Sequence, residues 1–264
     1  MATQSRWSIF RIFWNSFLLQ AKDQVLQESF ITTLLIQPAI FTLLSVGTYL
    51  FGRKPEFGLY AIAGTGLIGL WNNNVFTAGQ IINRERRMGT LTLILATPTP
   101  LPFILLGKSF AIALISLITI GVTFVTGMIA FQLPLGIKDP LTFLIGLLLM
   151  VIALTCLGLV LGCLFVLSRN AGEFDTLANY PVYILSGLTF PLTLLPLWTR
   201  PLSAILPTTW GNIVLSQAAA QLGQSMLPSY LWLISLSLVY LGVAGLLYKR
   251  VEFLALRAGT LEQW

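Results

Sequence analysis

The chain has 264 residues, of which 56% are hydrophobic and only 9% charged, with a mean hydropathy of +0.86, a formal net charge of +6 and a pI near 9.6. Soluble domains carry roughly 45–50% apolar residues, so a water-soluble globular protein is excluded and an integral membrane protein is implied. The positive charge does not indicate nucleic-acid binding, because the basic residues stand at the ends of apolar stretches and no basic patch has room to form.

From the N-terminus, Trp7, Phe10, Trp14, Phe17, Ala21 and Val25 recur at helical spacing, while Arg11, Asn15 and Lys22 take the opposite side. This predicts an amphipathic helix over 5–28 with an aromatic face, suited to lying along a membrane surface. Arg6 and Arg11 interrupt the first apolar residues and no A-x-A-like site follows, so a cleaved secretory signal is not expected. Six apolar stretches then approach the ~20 residues that a bilayer core requires. They are Ile31–Phe51, Phe57–Gly79, Phe103–Phe131, Leu141–Leu167, Thr176–Leu195 and Tyr230–Tyr248. Pro38 and Pro181 predict kinks in the first and fifth. Cys156 and Cys163 share one stretch; on a helix their spacing is roughly 10 Å, beyond the ~7 Å Cα limit of a disulfide.

Between the second and third spans, Gln80 to Lys108 holds Arg84, Glu85, Arg86 and Arg87 in consecutive positions. The spacing predicts a short polar-to-amphipathic helix over 82–95. Thr97-Pro98-Thr99-Pro100 would stop it, because proline donates no backbone hydrogen bond and disfavours helical geometry before it. Such a segment suits a surface that presses on another protein, and equally a charged loop obeying the positive-inside rule. Eleven of the 15 basic residues fall on the side of both termini and this segment, whereas Arg53, Lys54, Lys138 and Arg200 fall on the other. That bias places both termini and 80–108 in the cytoplasm. Farther on, 185–210 contains Pro191, Pro196, Pro201 and Pro207 yet stays mostly apolar. It is too hydrophobic for a solvated loop and too broken for a straight span. Short re-entrant helices at the outer leaflet, over 186–228, are expected, with a seventh span divided by proline as the alternative. No internal repeat divides the chain, so 1–264 reads as one domain.

Several chemistries drop out. There is no histidine, and without it neither a metal site nor a nucleophile–base pair has its usual ligand or base; no buried lysine is expected beside a serine or cysteine. The spans hold no Asp or Glu, which removes intramembrane proteolysis and argues against self-powered ion-coupled transport. Gly107-Lys108-Ser109 ends like a phosphate-binding loop, but the full pattern needs glycine where Pro102 stands, and the tripeptide opens a span rather than following a strand. What remains within the membrane is polar and uncharged: Trp71-Asn72-Asn73-Asn74 in the second span, and Asn179, Tyr180 and Tyr183 in the fifth. Buried amides need partners, so the three asparagines either glue helices together or line a polar pathway. Gly158 and Gly162 form a small-xxx-small step that suits close helix packing.

Glu85-Arg86-Arg87-Met88-Gly89-Thr90-Leu91, followed by Leu93 to Ala96 and Thr97-Pro98, resembles the signature of ABC-2 type permeases, the membrane subunits of ATP-binding cassette exporters. The amphipathic N-terminal helix is similar to the family's. So is the outer pattern Ser186-Gly187, Phe190-Pro191, Leu195-Pro196 and Pro207, so the resemblance covers nearly the whole chain. Thr92 departs from it, standing where members often carry an acid.

The resemblance implies an all-α integral membrane fold. Its parts would be six transmembrane helices, an N-terminal interfacial helix over 5–28, a cytoplasmic coupling helix over 82–95 and re-entrant helices between spans five and six. It implies a permease subunit that pairs with a second copy or a relative, as a homo- or heterodimer, and is driven by a separate ABC ATPase subunit. ATP and Mg would sit on that partner, so this chain would bind no cofactor directly and would not itself be an enzyme. The ATPase-coupling residues would be Glu85, Arg86, Arg87, Gly89, Thr90, Leu91, Thr97 and Pro98. The substrate pathway would be Asn72, Asn73, Asn74, Phe76, Tyr180 and Tyr183, with an outer gate at Phe190 and Pro191. Export of an amphipathic cargo (a drug, a lipid or a lipid-linked glycan) through the cell membrane is the expected function, with membrane lipids around the protein and no nucleic-acid partner. A membrane scaffold or assembly factor that binds a cytoplasmic partner through 80–98 is the alternative, and an ATP-independent channel a second.

Overall fold

The computed structural model describes residues 2–52, 58–78, 81, 84–85, 88–89, 101–132, 139–167, 179–189, 192–220 and 226–258. Long apolar runs fold as helices because in hydrocarbon a helix satisfies its own backbone polar groups. In chain order these are α1 (Ala2–Leu26), α2 (Gln37–Phe51), α3 (Gly58–Asn72), α4 (Leu101–Phe131), α5 (Pro140–Leu167), α6 (179–185), α7 (Arg200–Ile205), α8 (Pro207–Ala220) and α9 (Leu227–Ala258). A π turn, Thr32–Ile36, leads into α2, and a second, Asn73–Ala78, continues α3. The first ends two residues before Pro38, whose missing backbone N–H leaves the preceding turn one donor short and favours such a local widening.

Among the described residues, four helical stretches are long and apolar enough to cross a membrane: Thr32–Phe51, Phe103–Phe131, Pro140–Leu164 and Leu227–Tyr248. The expected spans Phe57–Gly79 and Thr176–Leu195 are not among them. In the former, α-helix gives way to π geometry at Asn73, and three successive asparagines lower the apolarity. In the latter, the helix ends at 185 and a turn over 186–189 follows, short of the expected end at 195.

α3 is the axis of the molecule. Its Leu67, Leu70, Trp71 and Val75 enter one core with Met150 and Leu154 of α5, Val214 and Leu215 of α8, and Leu233 of α9. A helix buried on every side needs no apolar stripe. What it needs is room, and glycines provide it: a Cβ at Gly69 would lie 2.9 Å from the Thr119 Cβ, and one at Gly66 would lie 2.9 Å from the Thr123 hydroxyl. The facing hydroxyls on α4 are satisfied within their own helix. Ser116 donates to the Ile112 carbonyl at 2.8 Å, Thr119 to Ser116 at 2.6 Å and Thr123 to Ile120 at 2.8 Å. A polar-looking face thereby becomes a packing face.

α5 begins at a cap. Asp139 stands before Pro140 and accepts from the Thr142 hydroxyl at 2.5 Å and the Thr142 backbone N–H at 3.2 Å. Gly158 and Gly162 are buried on this helix, as are the free thiols Cys156 and Cys163. After α6 come two short turns of helix, Leu192–Leu194 and Leu197–Thr199, and then α7 and α8. α8 sends Val214, Leu215 and Ala218 into the core, so this segment is part of the bundle's interior as well as its rim.

Candidate functional site

Two polar clusters lie at opposite ends of the bundle, with the asparagine run toward one of them. At the first end α1 lies against the start of α4. Phe13 and Phe17 of α1 tilt against Phe110, with ring centroids 6.1 and 6.2 Å apart. The α1 face turned inward also carries Gln20 and Gln24, both buried, while Phe10 and Trp14 stack on the outward side at 59% and 47% exposure. Of the aromatic series read from the sequence, Phe10 and Trp14 therefore stand on the face away from the protein, whereas Phe17 turns toward α4. Arg84 reaches back to Asp23 of α1 at 3.0 Å. Glu85 pairs with Lys108 of α4. Met88 and Gly89 are exposed, and Gly89 has φ +69 with open space where a Cβ would stand. Arg86, Arg87, Thr90, Leu91, Thr97 and Pro98, also expected here, lie outside the described residues.

Lys108 overturns one expectation. A buried lysine does stand beside a serine: Lys108 is 5% exposed and Ser109 1%. Its side chain is held in an ion pair with the Glu85 carboxylate. Gly107-Lys108-Ser109 lies within the helix Leu101–Phe131, not in a loop after a strand. The clue available in the sequence was a lysine set inside an apolar run, a place where an unpaired charge is costly.

Toward the same end, the three asparagines divide among three neighbours. Adjacent helical residues point in different directions, and the partners differ accordingly. Tyr183 of α6 donates its hydroxyl to Asn72 Oδ1. Gln24 of α1 donates to Asn73 Oδ1 at 3.1 Å. Asn74 donates to Ser116 of α4 at 3.3 Å. Beside them Trp71 Nε1 donates to Asn179 Oδ1 at 2.8 Å. Asn73 and Asn74 are buried, each bonded to a side chain of a neighbouring helix. Asn72 and Tyr183 are half-buried, and Tyr180, edge-on to Tyr183 at 6.3 Å, is 66% exposed. Of the expected pathway residues, these three share an accessible surface. Phe76 lies in the π turn and its side chain is outside the described residues.

At the opposite end the turn over 186–189 is clasped by three helices, a feature the sequence did not reveal. The Gly187 carbonyl accepts from the Tyr60 hydroxyl and from Asn212 Nδ2 at 2.7 Å, and Asn212 also donates to Tyr60 at 3.0 Å. Tyr49 donates to the Thr189 carbonyl at 2.8 Å, and Ser186 bonds Thr208. Phe190 and Pro191, the expected gate, follow directly but lie outside the described residues.

A family model, ABC-2 type transporter, matches residues 8–219. The chain belongs to the ABC-2 type transporter family. The match runs from α1 through Glu85 and Lys108 and the clasped turn into α8, so every cluster above falls within the ABC-2 domain. That domain is the transmembrane component of a transporter and not its ATPase, and the chain is accordingly a membrane protein. No curated protein matches the ABC-2 chain in a direct sequence comparison.

Proposed function

We propose that the chain is the permease subunit of an ATP-binding cassette exporter, pairing with a second copy or a relative and driven by a separate ATPase subunit. The observation that carries the reading is the family match over 8–219. In this reading the end holding Glu85 and Lys108 is cytoplasmic, together with both termini. α3 with its π turn, and the 176–195 stretch, complete six crossings of the cell membrane with the four long apolar helices. α1 lies at the inner surface with Phe10 and Trp14 toward lipid, and the pieces after 186 re-enter from outside.

The coupling segment docks on the ATPase through Glu85, Arg86, Arg87, Gly89, Thr90, Leu91, Thr97 and Pro98. ATP and Mg belong to that partner. Closure of the ATPase pair pushes on the segment and on α1, and the pathway between the two permease subunits opens outward past the clasped turn, Phe190 and Pro191. Asn72, Tyr180 and Tyr183 face that pathway. Their uncharged, aromatic character supports an amphipathic cargo such as a drug, a lipid or a lipid-linked glycan.

The test is purification of the tagged protein from native membranes in mild detergent. A stoichiometric ATP-binding subunit, lost when Glu85 and Arg86 are both replaced by alanine, is the expected result. A permease that emerges alone at several detergent strengths would sink the reading in favour of a scaffold or a channel.

A further inference from the structure

Gly107-Lys108-Ser109 has no part in the function as proposed, yet it touches both cytoplasmic elements. A Cβ at Gly107 would lie 2.5 Å from the Phe13 carbonyl oxygen, so only glycine lets α1 lie this close to α4. One residue on, the Lys108 side chain is 7% exposed and meets Glu85, whose own side chain is 17% exposed. Two residues farther, Phe110 receives Phe13 and Phe17. Arg84, next to Glu85, closes the triangle on Asp23 of α1. A desolvated ammonium is tolerated only while its counter-charge stays in place. The segment around Glu85 therefore cannot lift from α4 without stranding Lys108.

Resting on the permease reading, we propose that Lys108 is a positioning residue: through Glu85 it binds the 84–89 segment to the start of α4, so that segment, α1 and α4 move as one unit when a partner pushes on the segment. The Glu85 carboxylate then also acts inside the chain, holding the docking surface of which it forms an edge, and the exposed Met88 and Gly89 offer that surface outward.

The experiment uses the full chain with Cys156→Ala and Cys163→Ala, a nitroxide on Met88→Cys, and purification in detergent. The wild-type pair predicts a slow-tumbling line shape. Lys108→Met and Glu85→Gln should each give the same shift to fast tumbling, with the double variant no worse. Lys108→Arg, and the exchange of Glu85→Lys with Lys108→Glu, should return the slow spectrum. An unchanged spectrum in Lys108→Met, or separate and additive effects of the two single variants, overturns the proposal. Gel filtration selects folded material, and Glu85→Gln serves should Lys108→Met fail to fold. With the co-purified ATPase, Lys108→Met should keep the complex but lower permease-stimulated hydrolysis roughly tenfold, the scale of coupling between residues in contact. Full stimulation in that variant overturns the transmitting role. If no ATPase accompanies the wild type, the permease reading fails, and the line shapes alone still decide the ion pair.

Discussion

Gly187 has φ +68, and a Cβ there would lie 2.7 Å from Leu192 Cγ and 3.2 Å from the Tyr60 hydroxyl. Both conformation and space select glycine, so Gly187→Ala is expected to cost about 1–3 kcal/mol. Tyr60→Phe removes a donor to the Gly187 carbonyl but leaves Asn212 on it, and about 1 kcal/mol is expected. Thermal unfolding in detergent measures both, and a Gly187→Ala protein as stable as wild type would refute the strained, crowded turn. Asp139 shows the same dependence on local chemistry. The Thr142 hydroxyl, and after it the Thr142 backbone N–H, hold its carboxyl below the ordinary carboxylate range. The charged form is thus favoured by folding. Its contribution is complete above the ordinary carboxylate pKa of ~3.9 and is lost as pH falls through the lower folded value. Asp139→Asn should therefore flatten the acid limb of a melting-temperature-against-pH curve, and an identical limb in the two proteins would remove the cap from the account.

At the scale of elements, the seam between α3 and α4 depends on two glycines facing back-bonded hydroxyls. Gly69→Leu would force the helices apart at Thr119 and is expected to cost about 1–3 kcal/mol by overpacking, whereas the same change at Gly121, where a Cβ meets nothing within 4 Å, should be nearly silent. Comparing the two melting temperatures checks this. The asparagine run makes a second, graded prediction. Asn73→Ala takes the acceptor from buried Gln24 and should cost about 1–3 kcal/mol. Asn72→Ala acts at a half-buried site and should disturb stability less. Equal losses at the two positions would contradict the division of neighbours.

For the whole molecule, the proposed orientation puts the Glu85–Lys108 joint inside the cell and the clasped turn outside. Met88 is 60% exposed and Trp198 is 72% exposed, at opposite ends. In a background free of Cys156 and Cys163, a membrane-impermeant maleimide should label Trp198→Cys in intact cells and Met88→Cys only in inverted vesicles. The reverse pattern would turn the protein over and with it the proposed face for the ATPase.

Much of this was legible in the residues. Apolar length and the scarcity of charge determined a helical membrane protein, because a bilayer leaves the backbone few ways to satisfy itself. The Glu85 to Pro98 signature pointed to the ABC-2 family. Only the tertiary structure decided which side chains meet. Lys108 stood in the sequence as one more orienting cation until folding set Glu85 beside it across 23 residues of chain. Asn72, Asn73 and Asn74 are adjacent in sequence, yet each meets a different neighbour in the fold. Asn212 and Tyr60, 152 residues apart, had no shared signal at all. Hydrophobic periodicity reports what one segment requires of its surroundings, whereas partners are settled by the rotation and depth at which helices pack, and those follow from side chains on several elements at once.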